Sequence, residues 1–210
     1  MYEYCKLTAE QQTELIEYRL SRGYPPHSPP HSVRSQQFYL LTAACYEHQC
    51  YMHSEIRRQE LLKMIFDRFA NNENQEISTE VLTTNVTICA WVVLPNHYHL
   101  LVHIENFDIL SKLFRGIHGV TSRQWNLEDN VTKRKIWYSW SDRAIRSEKH
   151  YYTTFNYIHY NPVKHGLVSS PYDWVESSVH WYLQVNGREW LRDCWVKHPV
   201  RDYGKDWDNS

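Results

Sequence analysis

The segment Thr83–Ile104 reads TTNVTICAWVVLPNHYHLLVHI and decides most of the fold. Its first half, which ends at Leu94, is apolar on both faces towards its end, and this predicts a central strand that is covered on both sides. Pro95-Asn96 interrupts the strand, and a second apolar run follows over Tyr98–Ile104. The two strands are expected to pair as a hairpin.

Strand and helix patterns flank this hairpin on both sides. The resulting order is strand, helix, strand, strand, helix, strand, followed by one more helix. Such an order predicts an α+β, ferredoxin-like fold, with an antiparallel sheet, helices on one face and an added C-terminal helix. The flanking elements are predicted at Gln37–Tyr46 (strand), Ser54–Ala70 (helix), Phe107–Trp125 (helix), Lys135–Ile145 (strand) and Ser147–Tyr160 (helix), the last being ended by Asn161-Pro162.

The ends of the chain differ in composition from this core. Thr8 and Gln11 form a capping-box pattern at the start of a predicted helix over residues 8–22, and half of the eight prolines follow within residues 24–31. We therefore divide the chain into an N-terminal helix with a Pro-rich connector (1–32), a core domain (33–169) and a Trp-rich C-terminal extension (170–210).

The composition excludes several classes of protein. With 42% hydrophobic and 15% aromatic residues, the 210-residue chain has enough apolar surface to fold. Five cysteines without a CxxC pair predict reduced thiols instead of a disulfide framework. Residues 1–20 contain acids and no apolar signal-peptide core, and no apolar run is long enough to span a bilayer. These features predict a cytoplasmic protein without a membrane partner.

Basic residues are concentrated in one part of a chain whose net charge is only −1. The stretch Ser111–His150 contains nine Lys or Arg and four Asp or Glu. This surplus is compatible with a phosphate-binding face, although charge alone favours an ordinary solvated surface. The nine candidate DNA-binding residues are Lys112, Arg115, Arg123, Lys133, Arg134, Lys135, Arg143, Arg146 and Lys149.

Two histidines stand at the start of the second strand of the hairpin. His97 and His99 are two residues apart, so their imidazoles point to the same face of a strand and can hold one cation together. Tyr98, between them, points to the opposite, apolar side. The pattern on its own is equally compatible with two histidines on a half-exposed strand.

Tyr157 and Asn161 have the spacing of neighbours on one helix face. The side-chain oxygen of Asn161 could complete a metal site, with the Tyr157 hydroxyl roughly 5–6 Å away. A free tyrosine has a pKa near 10, and a cation beside the bound substrate would make its phenolate a usable nucleophile. The alternative is a packed tyrosine followed by an ordinary helix end.

Together, the motifs Leu94–Leu101 (LPNHYHLL) and Tyr157–Gly166 (YIHYNPVKHG) resemble the REP-associated tyrosine transposases, IS200-like members of the HUH single-strand transposase superfamily. The resemblance covers roughly residues 33–179. It implies that His97, His99 and Asn161 bind the metal and that Tyr157 is the nucleophile. Tyr98 departs from the family pattern, in which an aliphatic residue usually separates the histidines.

The resemblance also implies a function. A metal-dependent transposase would cleave and rejoin single-stranded DNA at REP-type hairpins through a 5′-phosphotyrosine intermediate, as a monomer or homodimer, without a small-molecule substrate, and associated with the nucleoid when DNA-bound. The implied ion is Mg²⁺ or Mn²⁺, whereas two imidazoles alone favour Zn²⁺ or Mn²⁺. Two alternatives stay open, namely a metal-dependent hydrolase that uses water and a non-catalytic nucleic-acid-binding module.

Overall fold

The computed structural model describes residues 37–70 and 86–205, together with Thr8, Glu10, Gln11, Glu14 and Glu17. Chain contacts divide the protein into two compact units, one formed by 37–203 and the other by 1–36 with 204–210. The described residues of the larger unit form four strands and four α-helices in the following order: β1 (Phe38–Ala44), α1 (Glu55–Ala70), β2 (Val86–Val93), β3 (His97–Ile104), α2 (Ile109–Glu128), β4 (Ser141–Ala144), α3 (Glu148–Lys164) and α4 (Val179–Lys197).

The four strands form one antiparallel sheet in the order β2-β3-β1-β4. β2 and β3 are joined by the Pro95-Asn96 turn and pair as the predicted hairpin. β3 then lies between β2 and β1, so the histidine pair stands on a central strand. This strand order and the element sequence confirm the predicted α+β, ferredoxin-like fold.

The two faces of the sheet have different coverings. On one face, alternate side chains such as Tyr39, Tyr98 and Leu100 form the hydrophobic core with α1 and α2. α3 packs on the other face against β2 and β3. The two helices of the ferredoxin-like unit therefore share one face, and the added helix closes the face that carries the histidine pair.

The predicted central position of β2 is wrong, because β2 is an edge strand. Its apolar character has another cause, because α1 and α3 contact β2 from the two faces of the sheet. In addition, a short segment that follows α3 runs along the open edge of β2. Ser177 forms an antiparallel bridge with Val92, and the Val93 amide donates to the Glu176 carbonyl at 3.0 Å. Trp174 Nε1 also donates to the carbonyl of Val93 at 2.9 Å.

An ion pair anchors this edge segment to α1. Arg58 Nε lies 3.1 Å from Glu176 Oε2, and both side chains are largely buried. The Arg58 guanidinium also lies 4.9 Å from the centre of the Trp174 ring. Removing one partner of such a buried pair typically costs more than the pair contributes, since the other charge is left unpaired.

The sequence also misplaced the end of α3. The helix begins after Ser147, whose side chain accepts a hydrogen bond from the His150 amide at 3.1 Å, and it continues through Pro162 to Lys164. Pro162 lacks an amide proton, so only one helical hydrogen bond is lost, and the His165 amide still donates to the Asn161 carbonyl at 3.1 Å. Asn161 is therefore held inside a helix and not at its end.

The remaining differences are small. The Lys135–Ile145 strand is reduced to β4 and one isolated bridge between Trp137 and Cys45. Near the N-terminus, the Gln11 amide and the Thr8 hydroxyl are 3.3 Å apart, and the Thr8 amide donates to Gln11 Oε1 at 3.0 Å, which confirms the capping box. The rest of that helix and the Pro-rich connector lie mostly outside the described residues.

The C-terminal extension contributes α4, which packs against α3 and continues past a backbone kink at Gly187, where φ is 83°. The domain boundaries at residues 32 and 169 stay predictions. Within the described part of the chain, no helix is long and apolar enough to cross a membrane. Cys45, Cys50, Cys89 and Cys194 are free thiols.

Candidate active site

The sheet and α3 bring four predicted site residues together. His97 and His99 point from β3 towards α3, where their ring centroids are 5.0 Å apart. His97 Nε2 lies 3.0 Å from Asn161 Oδ1, and the His99 ring lies 5.3 Å from the ring of Tyr157. All four side chains are buried. Two motifs that are distant in the sequence therefore form one site.

Asn96 fixes the orientation and tautomer of the His97 ring. Its side-chain Nδ2 donates to the carbonyl of His48 at 3.3 Å, so its Oδ1, 2.8 Å from His97 Nδ1, is an acceptor. Nδ1 of His97 is then the protonated nitrogen. In the neutral ring, Nε2 consequently presents a lone pair towards the oxygen of Asn161.

His99 is held in a similar way by the neighbouring strand. Thr42 stands directly opposite His99 on β1, and its hydroxyl lies 2.8 Å from His99 Nδ1. Both imidazoles thus have Nδ1 engaged by an oxygen atom. Such contacts are typical of metal-binding histidines, whose outer nitrogen is usually hydrogen-bonded so that the ring is held in place.

The donor set fits a divalent cation. A lone pair on His97 Nε2 facing an oxygen lone pair on Asn161 is unfavourable unless a proton or a cation lies between them. Adjacent ligands of an octahedral ion at about 2.1 Å are about 3 Å apart, which agrees with the observed 3.0 Å. Turning the Asn161 amide by 180° would replace this contact with an ordinary N–H···N hydrogen bond when no ion is bound.

The buried Nδ2 of the Asn161 amide has no hydrogen-bond partner among the described residues. The described residues contain no metal-binding cluster of three or more His, Cys, Asp or Glu. The candidate ligands named from the sequence, two imidazoles and one amide oxygen, are not a cluster of that kind and stay a prediction.

Tyr157 lies beside this set in a closed environment. Its side chain is fully buried, with the Tyr203 ring 5.5 Å away and the Lys164 ammonium 5.1 Å from its ring centre. The Tyr203 hydroxyl is itself held by Thr154 at 2.6 Å. A phosphate can reach the Tyr157 hydroxyl only if one of the surrounding side chains moves aside.

The nine basic residues do not form one surface. Arg143 stands opposite Leu40 on β1 and so belongs to the face of the sheet that carries the histidine pair. Burial lowers the pKa of His150, and the positive charges of Arg143 and Arg146 lower it further. Three others, Lys112, Arg115 and Arg123, lie on α2, on the opposite side of the sheet.

The other members of the basic set differ in exposure. Arg134 is half-buried because it forms an ion pair with Asp129 at 2.6 Å and stacks on Tyr51. Its charge is thus used within the fold. The remaining exposed residues are Lys133, Lys135 and Lys149.

Several residues of the site were not predicted from the sequence. Lys164 and His165 lie three and four positions after Asn161, and the His165 ring is 4.9 Å from that of His97. Their helical spacing from Asn161 was the available signal, but the predicted helix end at Pro162 concealed it. Nothing in the local sequence indicated that Thr42 would stand opposite His99.

Two curated proteins are similar in sequence to this chain. The chain is 37% identical over 94 residues to the REP-associated tyrosine transposase of Escherichia coli K12, which covers 44% of this chain and 54% of that protein. A Haemophilus influenzae protein assigned to the same group is 34% identical over 109 residues, covering 45% and 58% of the two chains. The matches thus span little more than half the length of these relatives, and no family model matches the chain.

The fold has a solved counterpart as well. It matches the structure of a REP-associated tyrosine transposase bound to a REP hairpin with a TM-score of 0.57, over 77% of this chain and 88% of that chain. At 24% sequence identity, this match shows the shared fold. The two sequence matches thus confirm the predicted resemblance to the REP-associated tyrosine transposases, and the structural match shows a shared fold.

Proposed function

We propose that the chain is a tyrosine transposase that cleaves and rejoins single-stranded DNA next to REP-type hairpins. The observation that carries the proposal is the meeting of His97, His99, Asn161 and Tyr157 in one buried site. The relatives named above carry the same activity in their names, and the matching structure contains a REP hairpin.

The proposed reaction transfers a DNA phosphate from a 3′ oxygen of the strand to Tyr157. The Tyr157 oxygen attacks phosphorus, the bond from phosphorus to the 3′ oxygen breaks, and the phenol proton ends on the released 3′-hydroxyl. The product is a 5′-phosphotyrosine, which keeps the energy of the ester bond. Attack by a 3′-hydroxyl on this link rejoins the DNA and returns the tyrosine.

Each side chain of the site has one task in this scheme. His97, His99 and Asn161 would hold Mg²⁺ or Mn²⁺, which supplies neutralisation of the phosphate charge. Asn96 and Thr42 keep the two imidazoles in position. Lys164 stands close enough to Tyr157 to interact with a phosphate that reaches the phenol.

DNA binding must also open the site, because Tyr157 is 0% exposed. Tyr203 and Lys164 both stand beside its ring. We expect one or both of them to be displaced when the strand enters. Arg143 and Arg146 lie near Tyr203 through His150 and would attract the phosphates there.

The test is covalent capture of DNA. The chain is incubated with a labelled strand that contains a REP-type hairpin, in Mn²⁺ or Mg²⁺, and the products are separated in denaturant. We expect a protein–DNA adduct from the unaltered chain and none from Tyr157→Phe, which loses one oxygen but keeps the ring. Loss of one hydrogen bond typically costs about 1 kcal/mol, so Tyr157→Phe should stay folded.

Tyr160→Phe is the matched control, because Tyr160 lies on the same helix but is exposed and packs against Trp195. It should form the adduct like the unaltered chain. Cleavage without an adduct would indicate a hydrolase that uses water. Binding with neither cleavage nor adduct would indicate a non-catalytic module, and an adduct from Tyr157→Phe would show that another tyrosine is the nucleophile.

A further inference from the structure

A cluster of half-exposed rings lies next to the candidate active site and has no role in the proposed chemistry. We define the ring cluster as the rings of Tyr46, His48 and Tyr138 together with the side chain of Lys135. The rings of Tyr46 and Tyr138 are 5.0 Å apart, and His48 is 6.0 Å from Tyr138. The Lys135 ammonium lies 4.4 Å from the centre of Tyr46 and 5.6 Å from that of Tyr138.

The backbone places the ring cluster at the end of the sheet where the histidine pair begins. Ala44, the last residue of β1, pairs with His97, and the Cys45 amide donates to the Asn96 carbonyl at 2.7 Å. The Tyr46 amide donates to Ile136 at 2.7 Å, and the Tyr138 amide to Ala44 at 2.9 Å. The ring cluster is thus built on the two strand ends that border the site.

Asn96 connects the ring cluster to the site directly. The Asn96 side chain accepts a hydrogen bond from His97 Nδ1 through its oxygen and donates one to the backbone carbonyl of His48 through its nitrogen. His48 and the preceding Glu47 have φ values of 53° and 51°, in the left-handed region that side chains other than glycine rarely adopt. Strained backbone of this kind is concentrated at binding and catalytic sites.

The chemistry of the ring cluster suits one class of ligand. Half-exposed aromatic faces stack on unpaired bases, and a nearby ammonium attracts the phosphates between them. Paired bases would not present their faces in this way. The continuity with the histidine pair places such bases next to the phosphate that the site would cleave.

We propose that the ring cluster binds the unpaired nucleotides that flank the scissile phosphate. The proposal rests on single-stranded DNA being the substrate, as in the proposed function. It assigns base stacking to Tyr46 and Tyr138 and a phosphate contact to Lys135. The ring cluster would thereby select a strand that is unpaired beside the hairpin.

The experiment measures equilibrium binding in EDTA, so that cleavage plays no part. One probe is a fluorescein-labelled DNA hairpin with an unpaired dT tail, and the other is the same hairpin without the tail. Tyr46→Leu and Tyr138→Leu should each weaken binding of the tailed hairpin by about 5- to 100-fold, while binding of the untailed hairpin stays unchanged. Lys135→Gln, an exposed change that does not endanger folding, should reduce the salt dependence for the tailed hairpin alone.

Tyr160→Leu is the matched control for removal of an exposed tyrosine and should bind both probes normally. Equal binding of the tailed hairpin by the unaltered chain, Tyr46→Leu, Tyr138→Leu and Lys135→Gln would overturn the proposal. An equal loss for both probes would also overturn it. The result is independent of the covalent capture test, since tail-dependent binding without any adduct would support the ring cluster while rejecting the transposase activity.

Discussion

The phenol ring of Tyr157 and the imidazole ring of His99 lie 5.3 Å apart, centre to centre, between a central strand and the helix packed over it. This contact places the candidate nucleophile beside a candidate metal ligand. The two side chains come from the two sequence motifs, so the contact joins the parts of the site that the sequence could only list separately. It also makes the role of each histidine open to a specific test.

We expect His97→Ala and His99→Ala each to lower the rate of DNA cleavage by at least about 100-fold, since each removes a direct ligand where changes in the outer contacts alone typically cost 10- to 100-fold. DNA binding should be largely kept, because affinity comes mainly from phosphate contacts. Cleavage is measured at several Mn²⁺ concentrations.

His103 provides the matched control for that experiment. It lies on the same strand and the same face as the pair, but its ring packs against Phe38 at 4.9 Å, away from Asn161. His103→Ala should cleave at nearly the normal rate. Full activity of His97→Ala or His99→Ala would reject the metal site.

Lys164→Gln should slow formation of the covalent adduct by about 100-fold under single-turnover conditions. Its ammonium is close to the Tyr157 ring, where negative charge on the phosphate increases in the transition state. Lys164→Arg should recover a substantial part of the rate, because a charge is restored. If Gln and Arg variants are equally slow, the side chain serves packing and not charge stabilisation.

DNA affinity should fall steeply with salt despite the net charge of −1. Each phosphate contact to a single strand contributes a slope of about −0.7 in a plot of log K against log salt. The double change Arg143→Gln with Arg146→Gln should therefore reduce the slope by about 1.4.

Arg123→Gln serves as the control, because α2 lies on the opposite side of the sheet from the histidine pair. Binding is measured by fluorescence anisotropy between low and moderate salt. A reduction of the slope by Arg123→Gln, and none by the pair, would move the DNA to the α2 side.

Stability should decrease in acid because of His118. Burial lowers the pKa of this residue from 6.5 to about 3, and its ring is stacked on Trp137 with Nε2 2.8 Å from the Tyr98 hydroxyl. The folded state therefore disfavours the protonated ring. The stabilisation is complete above pH 6.5 and is lost as the pH falls towards 3, by about 1.4 kcal/mol per pH unit.

His118→Gln keeps a hydrogen-bond acceptor for Tyr98 but cannot be protonated. Its free energy of unfolding in urea should therefore depend less on pH between 6 and 4 than that of the unaltered chain. An identical pH dependence would show that other groups cause the acid sensitivity, with buried His159, whose pKa is also lowered to about 3, tested next.

The sequence predicted the parts of this protein that depend on short-range patterns. The β2–β3 hairpin follows from apolar runs on either side of Pro95-Asn96, and the helix face shared by Tyr157 and Asn161 follows from their spacing. The edge position of β2 could not be predicted, because the residues of Val86–Val93 do not determine which strands pair with it.

Features that depend on distant contacts were equally hidden. The ring cluster forms only when residues 46–48 meet residues 135–138, which are distant in sequence. The passage of α3 through Pro162 was missed because proline usually ends a helix, and one lost hydrogen bond near the last turn is tolerated here. The ring cluster thus depends on packing between distant segments, and the continuation of α3 depends on one tolerated proline.

The segment that runs along β2 covers a strand edge that would otherwise be open to pairing with another molecule. An open strand edge exposes unpaired amide and carbonyl groups that can recruit a strand from another molecule. Here the Val93 amide donates to the Glu176 carbonyl and the Ser178 amide donates to the Trp91 carbonyl, while the opposite edge, β4, is only four residues long. A chain cut after residue 169 would keep every candidate catalytic residue and yet expose the edge of β2. It should therefore aggregate through pairing of exposed strand edges before its activity could be measured.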